Sequence, residues 1–505
     1  MTLGVDRRYP PVRLAIAVVV VALTLVPLAH VLVFVISVGP AGAALLLRPR
    51  VGELLRNTTA LVVAGCLASA VAGAGAAWLV ERTTLPGRRV WTVLMAAPLA
   101  VPAFVNSYGW VSVTSAVQGF GGAVLITTLS YYPLVYLPVA AVLRGIDPAF
   151  EETSRALGLG PWRTFARTVV PQMRPALLGG ILLVGLHLLA EFGALQALRF
   201  PTFTTAIYEQ FQSTFDGPAA TMLASVLVLG CLLLLLGESR LAGRGRVARV
   251  GSGAARTAVP HDLGRATPLA VAAMTGLAVL ALGVPLGSLL RWLVTGSSTA
   301  FPVVDLAVAT ATSVGLGLAG AAATVLLTFP VAWLRVRHPG PLARLLERST
   351  YVAGSLPGIV VALALVTLSV RFAPAAYQTA GVLVAAYIVL FLPRAMVSLR
   401  AALAQVPPEL EDVARALGAG PGAALRRVTL PLLARPDAAL VFLAASTELT
   451  ATLLLAPIGT TTLATEFWAH SYDLAYGAAA PYALLMILIS APAAWLLTRE
   501  AAWTS

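Results

Sequence analysis

Two groups of carboxylates in this chain stand in matching company. Residues 151–171 read EETSRALGLGPWRTFARTVVP and residues 411–431 read EDVARALGAGPGAALRRVTLP. At an offset of 260 residues, nine of these 21 positions are identical. Each copy places its acidic side chains (Glu151 and Glu152; Glu409, Glu411 and Asp412) just after a proline-bearing turn, Asp147-Pro148 or Pro407-Pro408. Carboxylates there suit the positive end of a helix, and proline fits a first turn because it needs no N–H partner. The shared ARALG run includes Ala156 or Ala416 and closes at Gly158 or Gly418, the residue type that ends helices in a left-handed conformation. A second helix is expected from Pro161 or Pro421, carrying Arg163 and Arg167 or Arg426 and Arg427, with its stop at Pro171 or Pro431. The pattern predicts a helix, a glycine turn and a second helix. Two matched copies predict a two-fold machine with two equivalent docking points rather than two ordinary surface loops.

The elements that must hold these segments are apolar. The chain has 505 residues, 59% of them hydrophobic and 11% charged, with a mean hydropathy of +0.88. A soluble chain carries about 25% charged residues, so this composition describes an all-α membrane protein. Twelve spans are expected, at 14–38, 60–80, 91–111, 123–143, 176–195 and 219–236, then at 270–294, 306–334, 352–370, 380–399, 438–455 and 478–497. Each approaches or exceeds the roughly 20 residues that cross a hydrocarbon core. The third and fifth of each half are interrupted by polar residues or proline: Pro98, Pro102, Asn106 and Tyr108 in one, His187 and Glu191 in another.

With the amino terminus inside, 28 of the 34 arginines fall on the cytoplasmic side. Cytoplasmic loops carry the basic excess in membrane proteins, so both repeated segments and both termini are expected in the cytoplasm. The net charge of +13 is explained this way, with no nucleic acid as partner. The organisation expected is a first six-span unit at 1–236 with its polar loop at 147–175, a Gly-, Ala- and Arg-rich linker at 237–267, and a second unit at 268–505 with its loop at 407–436. An even number of spans per unit makes the repeats parallel.

Further polar groups recur inside the apolar runs. Glu191 and Glu448 match at an offset of 257, each near the outer end of a fifth span. A carboxylate in a span is costly unless it faces a cavity or a partner. The pair either lines a central pathway or makes structural bonds to a neighbouring hydroxyl or backbone group. Thr204-Thr205 and Thr461-Thr462 follow at the same offset, as do Glu209 and Glu466, in an outer loop. His187 and the tyrosines 131, 132 and 136 read first as packing residues. Cys66 and Cys231 have neither metal-ligand nor disulfide spacing and read as small buried hydrophobes.

The repeated segments resemble the EAA loop of ABC-importer permeases, with Glu152 or Asp412 standing where that pattern has its first alanine. The resemblance implies that Glu151, Glu152, Ala156, Gly158 and Pro171, and Glu411, Asp412, Ala416, Gly418 and Pro431, belong to coupling helices that insert into an ATP-hydrolysing partner. It extends over the whole chain as a fused pair of six-span units of the type I permease fold, in a bacterial inner membrane. The run ELTATLLL at 448–455, with TTLAT at 461–465 and AAAPYAL at 478–484, is most similar to ferric-iron permeases. Thiamine and aminoethylphosphonate permeases share much of this architecture, and an ion-coupled secondary transporter is the alternative class. The partners implied are a homodimer of cytoplasmic ATPase subunits and an extracytoplasmic substrate-binding protein, besides the membrane lipid. No lysine occurs, so a phosphate-binding loop of the standard kind is absent and ATP-Mg belongs to the partner. No cofactor, metal site or catalytic constellation is expected in this chain, and it is read as no enzyme.

Overall fold

The computed structural model describes residues 10–241, 260–296, 301–433 and 437–503. The two chain ends, most of the expected linker and the last part of the 407–436 loop lie outside the described residues. Among the described residues the regular elements are helices, with one isolated bridge between Thr83 and His261. Six helices are long and apolar enough to cross a membrane, and four bent pairs bring the number to ten. The two remaining expected spans take other forms. Residues 438–455 divide into Asp437–Ser446 and Thr450–Leu455, and residues 478–497 fall within Tyr476–Trp503, whose apolar stretch is Tyr476–Pro492.

The third span of each half is broken rather than straight. Arg88–Ala100 and Ala103–Val111 meet at 91°, and Pro341–Ala353 and Gly358–Phe372 meet at 95°. Proline pushes the residue before it out of helical geometry, and Val101 is extended (φ −103°, ψ 110°) ahead of Pro102. Pro357 stands at the matching break with φ −60° and ψ 146°. The fifth span ends earlier than expected. Its helix in the first half ends at Ala190, and in the second half at Ser446, because Glu191 and Glu448 lie in the breaks that follow.

By contact the chain forms two compact units that cross the sequence halves: Met1–Leu46, Gln210–Val228 and Pro302–Glu466 in one; Leu47–Glu209, Leu229–Phe301 and Phe467–Ser505 in the other. Each is organised on one long helix. In the first, Val303–Arg337 packs against Ala380–Gln405 and receives the chain's own first helix, Pro11–Thr24. Its core there includes Ala17, Val21, Trp333, Leu334, Met396 and Leu403. In the second, Pro49–Arg82 packs against Phe120–Tyr131, Pro133–Gly145 and Val170–Ala190 around Leu61, Val80, Ile126, Tyr136 and Val184.

Without a hydrophobic difference between lipid and protein, helices in a membrane associate through close packing at small residues. Gly73 is such a point. A Cβ there would lie 2.6 Å from the Tyr132 carbonyl oxygen and 2.8 Å from the Val135 Cβ, whereas one on Gly75 meets nothing within 4 Å. Gly73→Ala is expected to cost about 1–3 kcal/mol by overpacking. Gly75→Ala should be neutral or stabilising by up to about 1 kcal/mol through helix propensity. Thermal unfolding of both variants in one detergent checks this, and equal midpoints would refute the close approach.

Candidate coupling site

The repeated segments fold alike. The first helix runs Ala149–Ala156 in one copy and Pro408–Ala416 in the other. Both stop through the same hydrogen-bond pair. The N–H of Gly158 donates to Arg155 O at 2.9 Å and that of Leu159 to Ser154 O at 3.1 Å; Gly418 donates to Arg415 O at 2.9 Å and Ala419 to Ala414 O at 3.0 Å. This double closure needs a left-handed residue, and the glycines supply φ of 81° and 85°. The chain then turns into Pro161–Thr164 or Pro421–Ala424.

The expected stop at Pro171 and Pro431 does not occur. A wide π turn, Phe165–Val169 or Leu425–Thr429, precedes each proline, and the helix continues as Val170–Ala190 or Leu430–Leu433. Proline breaks a helix because it removes a donor and crowds the preceding turn. A π turn relaxes the spacing at that place, so in the first half the segment runs directly into the fifth span; in the second, residues 434–436 lie outside the described residues.

One carboxylate in each copy is buried and holds the segment to the long helix. Glu151 pairs with Arg82, the last residue of Pro49–Arg82, whose side chain is only 4% exposed. Arg155 lies 3.4 Å from the other oxygen of Glu151. Glu411 pairs at 3.2 Å with Arg337, the last residue of Val303–Arg337, and at 3.4 Å with Arg415, and accepts from the Thr429 hydroxyl at 2.9 Å. Neither arginine was singled out from the sequence. Their signal is a second repeat, Trp78-Leu79-x-x-Arg82 and Trp333-Leu334-x-x-Arg337.

A neighbouring charge cluster braces each clamp. Glu81 meets Arg88 and, at 3.5 Å, Arg144. Glu347 meets Arg335 at 2.5 Å and Arg400 at 2.7 Å. In both, one carboxylate ties three helices together.

The other predicted residues point away from the clamp. Glu152, Ala156 and Gly158, and Asp412, Ala416 and Gly418, are exposed. Between them stand Leu157 and Leu417, 77% and 83% exposed. Each copy therefore presents an acidic shoulder, an apolar tip and a tight turn, with one face nailed to the long helix. Pro171 and Pro431 are exposed on the following helix.

Glu191 and Glu448 also keep matching geometry. Each carboxylate caps the short helix after its break: Glu191 Oε1 accepts from Ala194 N at 2.9 Å, and Glu448 Oε1 from Ala451 N at 3.0 Å. Tyr131 donates to the other oxygen of Glu191, and Thr204 donates to its carbonyl at 2.6 Å. Thr452 donates to the Glu448 carbonyl at 2.7 Å and shares a 2.7 Å hydrogen bond with Tyr387. The structural bonds named as one alternative are thus present. His187 packs its ring 5.2 Å from that of Tyr131 and its Nδ1 lies 2.8 Å from Leu183 O. In the outer segments the Thr205 and Thr465 hydroxyls cap Phe203–Gln212 and Leu463–Tyr472, accepting from Thr202 N and Thr462 N, both at 2.9 Å. Glu209 is exposed and Glu466 half-buried.

The family described as "Binding-protein-dependent transport system inner membrane component" matches residues 69–244 and again residues 324–500. The chain is 37% identical over 502 residues to the Fe(3+)-transport system permease protein FbpB 2 of Haemophilus influenzae, covering 98% of this chain and 99% of that one. It is 30% identical over 220 residues to the sulfate transport system permease protein CysT of Escherichia coli (39% of this chain, 78% of that one). It is 28% identical over 186 residues to the molybdenum transport system permease protein ModB of Escherichia coli (32% and 81%).

The clamp predicts unequal consequences for two adjacent carboxylates. Glu151→Ala leaves Arg82 buried without its charge partner, which costs about 3–5 kcal/mol. Glu152→Ala removes an exposed charge and should change stability by less than about 0.5 kcal/mol. Chemical or thermal unfolding of the purified chain measures both, and similar losses would contradict the assignment of Glu151 to the clamp.

Proposed function

This chain belongs to the family of binding-protein-dependent transport inner-membrane components, and we propose that it imports ferric iron as the permease of its system. It is an ABC-importer permease with both membrane units in one polypeptide, and its relatives are transport permeases rather than enzymes. The observation that carries the finer reading is the pair of exposed apolar tips on buried Glu–Arg clamps. Two such tips suit a pair of grooves on a dimer of ATP-hydrolysing subunits. When those subunits close, each tip is drawn with them, and the clamp passes the displacement to a long span instead of letting a loop absorb it. Alternating exposure of the pathway follows from that movement.

Iron is supported by the relative that matches across nearly the whole chain, itself named for Fe(3+) transport. A ferric ion needs hard oxygen ligands in the protein that delivers it, while a path that bound it tightly would slow its release. The outer segments around Thr204-Thr205, Glu209, Thr461-Thr462 and Glu466 offer the docking face for an extracytoplasmic binding protein. Glu191 and Glu448 are the candidate pathway carboxylates, each capping the short helix that follows the break at the end of its fifth span. The arginine distribution supports cytoplasmic coupling segments and termini.

The test is uptake into proteoliposomes holding the full chain, its ATPase and its binding protein. Ferric iron is expected to enter with ATP, and sulfate, molybdate, thiamine and aminoethylphosphonate are not. Uptake of one of the latter in place of iron would reassign the substrate and leave the permease reading intact. The Gly158→Trp, Gly418→Trp double variant should reduce ATP-driven uptake at least tenfold, since a residue other than glycine at positive φ costs about 1–2 kcal/mol at each site and the indole crowds the docking tip. Uptake at the normal rate would sink the coupling assignment.

Orientation has its own check. Single cysteines placed at Arg163 and Arg426, in a background where Cys66 and Cys231 are serine, should react with a membrane-impermeant thiol reagent only after the cells are opened. Labelling of either in intact cells would reverse the topology.

A further inference from the structure

The two clamps are closed differently. At Glu411 the closing donor is Thr429, the last residue of the π turn Leu425–Thr429. The matching last residue of Phe165–Val169 is Val169, buried and without a polar side-chain atom. At Glu151 a group from a distant part of the sequence stands in. His261 Nε2 lies 3.8 Å from Glu151 Oε2, and its ring stacks on Trp78 with centroids 6.2 Å apart and planes at 22°. The His261 N–H donates to Arg82 O at 2.8 Å, and its carbonyl accepts from Thr84 N at 3.0 Å. Asp262 secures the turn, accepting from the Thr84 hydroxyl at 3.2 Å and from Gly264 N at 3.0 Å, while Leu263 N donates to Thr84 Oγ1 at 3.2 Å. Arg82 is thus gripped through its guanidinium by Glu151 and through its carbonyl by His261, and these two residues face each other.

We propose that the segment leading into the second half's first span is a built part of the first coupling site. His261 is a positioning residue that gives Glu151 the polar closure that Thr429 gives Glu411. The proposal rests on the reading of residues 147–175 as a coupling segment. A parallel contact supports it. Arg13, at the start of the first half's first span, sets its guanidinium 4.0 Å from the ring centre of Trp333. Trp333 precedes Arg337 as Trp78 precedes Arg82, by four residues. Each leading segment therefore covers the tryptophan one turn from a clamp arginine of the other sequence half. The connection between the halves works as a latch on the first coupling helix and not only as a tether, and the two coupling helices are not interchangeable.

The test uses the full chain in detergent and reads amide hydrogen exchange in residues 149–158 and 408–418. A single partly exposed polar contact is worth about a two- to fivefold change in a local equilibrium. His261→Ala is expected to speed exchange in 149–158 by that factor and leave 408–418 unaltered. Val169→Thr, which places in the first π turn the hydroxyl found in the second, should recover most of the loss in the double variant. Thr429→Val should reproduce the effect in 408–418 alone. In proteoliposomes the same variants should lower iron taken up per ATP hydrolysed in the same order. Unchanged exchange in 149–158 after His261→Ala, or a loss that Val169→Thr does not repair, would overturn the latch. Altered and repaired exchange with no change in uptake per ATP would uphold the latch and instead refute the coupling role of the segment it holds.

Discussion

A buried arginine at the end of a long helix must be met by a carboxylate, and in this permease the carboxylate that meets it belongs to the repeated helix–turn–helix segment. In each unit that requirement organises the end of the long helix, at Arg82 in one and Arg337 in the other. Breaking a buried ion pair costs several kcal/mol because the remaining charge stays out of water. Glu151 and Glu411 are therefore held in place by the burial of Arg82 and Arg337 as much as by their own helices. A flexible loop could also carry a docking tip, but it would dissipate a partner's movement. Here the tip, the clamp and a helix of 34 or 35 residues form one mechanical piece.

Much of this was legible in the sequence, for identifiable reasons. The repeated segment was visible because nine identities at one offset in a hydrophobic chain mark a shared fold, and the helix, the glycine turn and the second helix all follow from local chemistry. The breaks in the third spans were foreshadowed by Pro98 and Pro102. The clamp arginines were hidden because they stand at the end of an apolar helix among other basic residues, where a count of arginines assigns them to topology. Only the short Trp-Leu-x-x-Arg repeat distinguishes them, and a partner 69 residues away in sequence does not show in any local pattern. The continuation through Pro171 and Pro431 was missed because proline normally ends a helix, and nothing local announces the π turn that lets it pass.

The intramembrane carboxylates show how a costly group can serve two ends. Placing Glu191, which is buried, and Glu448, which is half-buried, beside apolar helices is unfavourable unless their oxygens are satisfied. Both are satisfied by the backbone of the next short helix, which starts only because the preceding helix stopped. The carboxylate thus creates the irregular backbone and pays for it. Irregular backbone at membrane depth is tolerated where it is buried in protein or lines a water-filled cavity.

Duplication usually implies equivalence, yet the halves keep geometry more faithfully than residues. The bracing cluster is built around Glu81 on the second span in one half and around Glu347 on the third in the other, and still joins the same three helix ends. Thr429 donates to the clamp carboxylate in one half, and His261 stands 3.8 Å from it in the other. What persists across the duplication is a negative charge fixed among arginines at a helix junction. The element that contributes it differs between the halves. A segment tied covalently to its neighbour is always present at the site it completes. A separate subunit could contribute the same histidine only while bound, so a single chain can place part of its first coupling site in the segment that joins its halves.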